Sequence, residues 1–233
     1  MRLVAWNANH NNKRRTLEQN VELLAAFSAD VLVVSETAPP SDANPTGALW
    51  TGVNGWPGLA VVARTGLVLE PHGANPLSPP LMAGYRVSGR VGFNLLGIWP
   101  VQHAGGLTYS QILESALAQY SDLLSQQAIM AGDLNSSTSV SGQPKSHQRF
   151  VSAAEEIGLI SAYHHQTGED HGSESINTYR HNATQSFHID YCFLSRSFVD
   201  AANLGIASGR GWSALSDHSP VVLDIPDAAF APL

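Results

Sequence analysis

The chain of 233 residues holds one cysteine, Cys192, which excludes an intrachain disulfide and a cysteine-built zinc site. Such usage fits a reducing compartment. Positive charge is sparse. Twelve Lys and Arg stand against 19 Asp and Glu, for a formal net charge of −7, and Lys13 and Lys145 are the only lysines. That balance excludes affinity drawn from a broadly basic surface laid along nucleic acid. Long apolar runs are also missing, and no segment reaches the length of a bilayer span. The opening stretch, Met1 to Asn7, is too short for the apolar core of a signal peptide. The expectation is a soluble cytoplasmic protein. With 43% hydrophobic and 13% charged residues, the chain suits one large domain over residues 1–233.

Apolar runs of strand length alternate with amphipathic stretches. The pattern predicts strands at residues 3–6, 31–34, 128–131 and 221–225, with others near 176–180 and 187–194. Four more, at 58–63, 67–70, 85–88 and 93–99, follow one another across Gly- and Pro-marked turns without helices, which predicts antiparallel pairing. Helical spacing of apolar residues predicts helices at 16–27, 109–125 and 147–157. Pro, Gly, Asn and Ser make 38–57 a surface loop, and 168–175 a second polar loop. The expected architecture is mixed α/β, with two sheets packed face to face and helices outside.

Polar groups sit where these runs end. Asn7, Glu36, Asp133 and Asn135 follow apolar strands, Asp217-His218 precedes one, and Asp190 lies inside the buried-looking run 187–194. An acid beside an imidazole at the mouth of a buried strand is costly unless chemistry uses it. Hydrolysis of a phosphate ester uses such a set. It needs a divalent cation held against the phosphate, an activated water, and groups that neutralise the developing charge. Mg²⁺ or Mn²⁺ takes carboxylate and carbonyl oxygens, so Glu36 supported by Asn7 suits the cation. Asp133 suits the water, and Asn135, two residues later on the same face, can orient it or the phosphate. His218 can donate to a phosphate oxygen, with Asp190 holding its ring.

Five motifs occur in order: Trp6-Asn7, Ser35-Glu36-Thr37, Gly132-Asp133-Leu134-Asn135, Ile189-Asp190-Tyr191 and Ser216-Asp217-His218-Ser219-Pro220. Through them the chain resembles the endonuclease/exonuclease/phosphatase (DNase I-like) superfamily, and within it the exonuclease III-like bacterial branch. The resemblance implies a four-layered α/β sandwich and a divalent-metal-dependent phosphoric-ester hydrolase. It implies Asn7 and Glu36 at the metal with Asp217 nearby, Asp133 as base or water-positioner beside Asn135, and Asp190 paired with His218 at the phosphate. Two positions depart from the pattern. Where the family usually has a Tyr or His after its central strand, this chain reads Gly97-Ile98-Trp99-Pro100. Trp99 has one N–H donor and no titratable proton, so either it shapes the pocket or His103 substitutes. Asn9 stands where abasic-site enzymes carry an acid, which speaks against a second metal.

Five of the ten histidines lie between residues 164 and 188: His164, His165, His171, His181 and His188. They read either as a transition-metal site or as a polar substrate-binding loop. Their spacing is not an ordinary zinc pattern, which favours the loop. His188, two residues from Asp190, is expected near the phosphate. Arg180 and His181 are candidates for a second phosphate or a nucleic-acid backbone. Tyr179 and Phe187 either stack on a sugar or base or serve as core aromatics. Lys13-Arg14-Arg15 is the one basic cluster, a solvated helix face or a backbone contact. The expected activity is that of a nuclease on DNA or RNA, with a small phosphate ester (nucleotide, inositol phosphate or phospholipid head group) as the alternative substrate.

Overall fold

The computed structural model describes residues 1–52, 56–64, 66–73, 81–102 and 106–230. From the N-terminus the order is β1 (Arg2–Asn7), α1 (His10–Lys13), α2 (Leu17–Leu24), β2 (Val31–Thr37), β3 (Leu49–Thr51) and β4 (Gly58–Ala63). Next come β5 (Val68–His72), β6 (Met82–Ser88), β7 (Phe93–Ile98), α3 (Tyr109–Gln119), α4 (Ser121–Leu124) and β8 (Ala128–Asp133). The remainder is α5 (Pro144–Glu156), β9 (Leu159–Ser161), α6 (Ala162–Thr167), β10 (Tyr179–Arg180), β11 (Ser186–Phe187), β12 (Asp190–Ser195), α7 (Arg196–Val199), β13 (Asn203–Ile206), α8 (Arg210–Leu215) and β14 (Val221–Asp224).

Two six-stranded sheets result, ordered β13-β14-β1-β2-β4-β3 and β5-β6-β7-β8-β12-β9. Their central strands are apolar on both sides, so each sheet must be covered twice. Leu3, Ala5, Val31, Val33 and Val61 of the first sheet pack between the sheets with Leu95, Ile129, Ala131 and Cys192 of the second. The alternate residues Val4, Trp6, Leu32 and Val34 turn outward against Leu17, Val21 and Leu24 of α2. On the far side Leu96, Met130 and Phe193 meet Leu113 and Leu117 of α3 and Phe150 and Ala154 of α5. The layers are therefore helix, sheet, sheet, helix: a four-layered α/β sandwich. Both α2 and α3 begin on a reciprocal cap, Thr16 with Gln19 for α2 and Thr108 with Gln111 for α3.

Several local expectations change. Strands β5, β6 and β7 form the antiparallel meander, but β4 crosses to the first sheet and pairs with β2 and β3. Burial decides this, since β4 is apolar on both faces whereas β5 is largely exposed and sits at an edge. The expected loop at 38–57 contains the short strand β3, and the helix expected at 109–125 breaks at Tyr120 into α3 and α4. The expected strand at 187–194 is interrupted before Asp190, because the Thr178 hydroxyl accepts the backbone N–H of both Ile189 and Asp190. Among the described residues no helix is long and apolar enough to cross a membrane.

Gly132 carries a backbone constraint next to the site. Its φ is +144°, and a Cβ there would lie 2.0 Å from the carbonyl oxygen of Ile98 on the parallel neighbour β7. No side chain fits without moving β7 from β8. Gly132→Ala is expected to lower the unfolding free energy by at least about 2 kcal/mol in urea titration, the scale of a strained backbone position. Unchanged stability would mean that the two strands separate freely.

Candidate active site

Strand direction brings the site together. Strands β1 and β2 run parallel with Asn7 beside Ser35, so Asn7 and Glu36 leave the first sheet at one edge. β14 is antiparallel to β1, with Val221 opposite Ala5, so Asp217 and His218 lead into it at that edge. In the second sheet, antiparallel β8 and β12 set Asp133 directly opposite Asp190. These strands thus converge on one end of the sandwich. The hydroxyl of Ser216 closes the junction, donating to the Asn7 carbonyl at 2.8 Å and accepting the His218 N–H at 3.0 Å.

At the centre is a buried triad. His218 Nδ1 lies 2.8 Å from Asp190 Oδ2, and its Nε2 is 3.9 Å from Asp133 Oδ2. All three side chains are at most 5% exposed. Burial alone would neutralise His218, yet the charges of Asp190 and Asp133 and the hydrogen bond to Asp190 hold it protonated well above the ordinary imidazole range. Asp133 departs from a normal carboxyl as well. Burial and the Asp190 charge raise it, partly offset by His218, the Asn7 amide and the Asn135 N–H. The Asn7 Nδ2–H donates to Asp133 Oδ2 at 2.8 Å, and the Asn135 backbone N–H donates to Oδ1 at 2.8 Å. The arrangement can take a proton at Asp133 and give one from His218.

Glu36 occupies a register shift between β2 and β4 and has φ +50°, so the irregularity re-aims its carboxylate into the cleft. Burial, with the like charge of Asp217, raises its pKa against the pull of His218. Glu36 and Asp217 line one cleft of about 790 Å³, and no Lys or Arg is among the described residues around it. Two carboxylates with no Lys or Arg on the cleft wall and a rim of amide side chains fit a hard divalent cation. Asp133, Asp190 and His218 also have ligand atoms within 4.8 Å of one another.

The structure gathers Asn7, Glu36, Asp133, Asn135, Asp190, Asp217 and His218 at this end, and places Trp99 and Tyr179 on the cleft wall. Trp99 faces the cleft with its ring packed into the inter-sheet core, while His103 lies outside the described residues. Tyr179 pairs with His218 as an isolated bridge and its ring is 4.6 Å from the imidazole. Four expected substrate residues are elsewhere. Arg180 turns its guanidinium to the carbonyls of Ser213 and Ser216. His181 and Phe187 pack on each other beside Tyr179, outside the cleft. His188 is buried rather than near the cleft, with Nδ1 on the Ile176 carbonyl at 2.9 Å. The strand break before Asp190 is the reason, since it removes the shared face on which that expectation rested. His164 and His171 likewise pack beneath the site instead of forming a substrate loop. Asn7, expected beside the cation, commits its amide N–H to Asp133 and its oxygen to the Asn9 N–H.

Two cleft aromatics went unnoticed in the sequence. Trp56 is 70% exposed at the rim, and its only signal is a large aromatic in a turn-forming Asn-Gly-Trp-Pro stretch. Tyr109, the first residue of α3, faces the cleft, and burial with the Asp133 charge keeps its phenol protonated. Helical periodicity assigns Tyr109 to a helix without showing that the helix starts at the site.

The profile of the Endonuclease/Exonuclease/phosphatase family matches residues 4–218. No curated protein matches the chain by sequence. Among solved structures, the 3′ phosphatase NExo from Neisseria, a point variant bound to product DNA hairpin, aligns with a TM-score of 0.72 at 19% identity, over 97% of this chain and 99% of its own. An AP endonuclease from Archaeoglobus fulgidus aligns with a TM-score of 0.69 at 16% identity, over 97% and 99%. A truncated Caenorhabditis elegans TDP2 gives 0.67 at 14%, over 99% and 97%. At such identities these likenesses show a shared fold. With a family match spanning nearly the whole chain and the acid, amide and imidazole groups of its motifs gathered at one end of the sandwich, the chain belongs to the endonuclease/exonuclease/phosphatase family of phosphoric-ester hydrolases.

Proposed function

We propose that the protein is a divalent-metal-dependent nuclease acting on single strands or strand ends of DNA or RNA. The observation that carries the reading is the buried Asp190–His218–Asp133 triad opening on a cleft that also presents Glu36 and Asp217. Glu36 and Asp217 would hold Mg²⁺ or Mn²⁺, which supplies Lewis-acid neutralisation of phosphate charge when bound. Asp133, raised by burial above the ordinary carboxyl range, takes the proton of the attacking water. Asn7 and the Asn135 N–H fix that carboxylate in place. The His218 imidazolium donates to a phosphate oxygen, and Asp190 keeps its ring oriented and charged. The Tyr109 phenol is a second neutral donor on the same wall.

Aromatic rather than basic groups favour single strands. Trp56 stands exposed at the rim and Tyr179 lines the wall, offering faces for unstacked bases. A 3′ phosphatase bound to a DNA hairpin and an AP endonuclease among the similar structures support nucleic acid as the substrate class. The scarcity of cations at the cleft is the one observation that favours a small phosphate ester instead.

A substrate panel separates these. Single-stranded DNA, duplex DNA with and without an abasic site, RNA, nucleotides and inositol phosphates are each assayed in EDTA, Mg²⁺ and Mn²⁺. Cleavage is expected for polynucleotides with metal present, and Asp133→Asn is expected to lower turnover at least about a hundredfold while remaining folded. Phosphate release from small esters alone would overturn the nuclease reading. Trp56→Ala is expected to raise KM for a single strand about tenfold with kcat nearly unchanged, as loss of one stacking platform would.

The rate should also be bell-shaped in pH. Asp133 is raised, so its base form fills in at a pH above the ordinary aspartate value of about 4. His218 is raised too, so its donor form persists past the ordinary imidazole value of about 6.5 and is lost at higher pH. Asp190→Asn removes the charge that supports the imidazolium and should shift the alkaline limb downward. An alkaline limb indifferent to Asp190→Asn would show that His218 is not the donor.

A further inference from the structure

Beneath the active site lies a second cluster of metal-ligating side chains, on elements that the catalytic residues do not use. His164 on α6, and His171 and Glu174 in the following loop, bring ligand atoms within 4.8 Å of one another. The His164 and His171 rings stack with centres 3.5 Å apart, and His164 Nε2 is 3.1 Å from Glu174 Oε1. His147 of α5 is fully buried, with its ring centre 5.6 Å from that of His171. His188 stands at the other side, 5.9 Å from His164.

Hydrogen bonding leaves this group incomplete. His171 Nδ1 and His147 Nε2 are buried nitrogens with no hydrogen-bond partner. Buried polar atoms are rarely left so, and each costs free energy until something engages its lone pair or N–H. The outer atoms are already positioned. Ser161 Oγ is 2.7 Å from His164 Nδ1, and a hydroxyl there can accept Nδ1–H and leave Nε2 free to ligate. Glu174 Oε1 also accepts the Gly172 N–H at 2.9 Å. His147 Nδ1 rests on Ser136 Oγ at 3.0 Å, which leaves Nε2 as the nitrogen still to be engaged.

From this geometry we infer that His164, His171 and Glu174 bind a borderline transition cation of the Zn²⁺ type, with water completing its shell and the His147 ring packed beside it. Two imidazoles with one carboxylate suit such an ion and not Mg²⁺, which prefers oxygen. The site is structural. It joins α6 to the 168–178 loop beside α5 and the Asn135–Thr138 segment, and Gly172 approaches Thr138 so closely that a Cβ would lie 2.3 Å from its hydroxyl. Its occupancy stiffens the segments that carry Asn135 and Thr178 without contacting substrate. The inference is independent of the substrate assignment.

Co²⁺ serves as the probe, with Mg²⁺ in excess to fill oxygen sites. One Co²⁺ per chain is expected, with the visible bands of a four-coordinate ion, in the wild-type protein and equally in Glu36→Gln. His171→Asn and Glu174→Gln should each weaken its binding more than about a hundredfold, beyond what outer-shell partners cost. Bound ion should raise the Tm of the wild-type chain and of Glu36→Gln but not of His171→Asn. Where either cluster variant fails to fold, X-ray absorption of Zn²⁺ in the wild-type protein decides, with imidazole scattering from at least two histidines expected. No bound Co²⁺, binding abolished by Glu36→Gln and retained in His171→Asn, or an all-oxygen environment would each overturn the inference.

Discussion

A protonated imidazole held between two buried carboxylates is the interaction on which the rest of this structure depends. Asp133 and Asp190 face each other across β8 and β12, and like charges so placed cannot both remain ionised without a cation between them. His218 is that cation, delivered from the other sheet. The two sheets are therefore joined at this end by charge as well as by apolar packing. Removing one member of such a buried set typically costs about 3–5 kcal/mol, because the remaining charge has neither water nor partner. The surrounding bonds make sense in that light. Asn7 and the Asn135 N–H engage Asp133, Thr178 and the Ile189–Asp190 turn fix the start of β12, and Ser216 fixes the His218 loop to β1.

The fold was readable wherever a strand is buried on both faces, because continuous apolar runs such as Val31–Val34 have few other uses at that length. The helices α2 and α5 were readable from apolar spacing, and the motif residues from the chemistry they bring to strand ends. What escaped was set by partners remote in sequence. The all-apolar run Gly58–Ala63 marks a strand buried on both faces, but its partner β2 and the α2 residues that cover it lie far away in the chain, so the pairing itself was not legible. The turn before Asp190 was hidden because it is made by the Thr178 side chain, 12 residues away in the chain. That single hydroxyl moved His188 from the expected cleft into the histidine cluster. Trp56 and Tyr109 were illegible for a related reason, as their loop and helix start reach the cleft only after the two sheets have packed.

The histidines show how spacing misleads. His164 and His171 match no ordinary zinc pattern along the chain, and the local reading assigned them to a substrate-binding loop, whereas Glu174 drew no attention. In three dimensions the loop folds back on α6 and brings its own His171 and Glu174 onto His164, a closure that no residue spacing announces. The two polar centres of the molecule then lie on either side of one short segment, with Asn135 facing the cleft and Ser136 facing His147.

The strand order has a consequence for how activity arises during folding. β1 pairs with β14 from the opposite end of the chain, and Ser216 bonds to Asn7 over a separation of 209. Contacts so distant in the chain carry a high loop-closure cost and form late. The second sheet's meander β5-β6-β7, made of neighbours, has no such delay. A ribosome-bound chain can thus complete much of the second sheet while its first sheet still lacks the strand that brings His218. The charged junction between the sheets thus closes with the last native contacts, and a chain that has not yet paired β14 holds two facing carboxylates without the imidazole that bridges them.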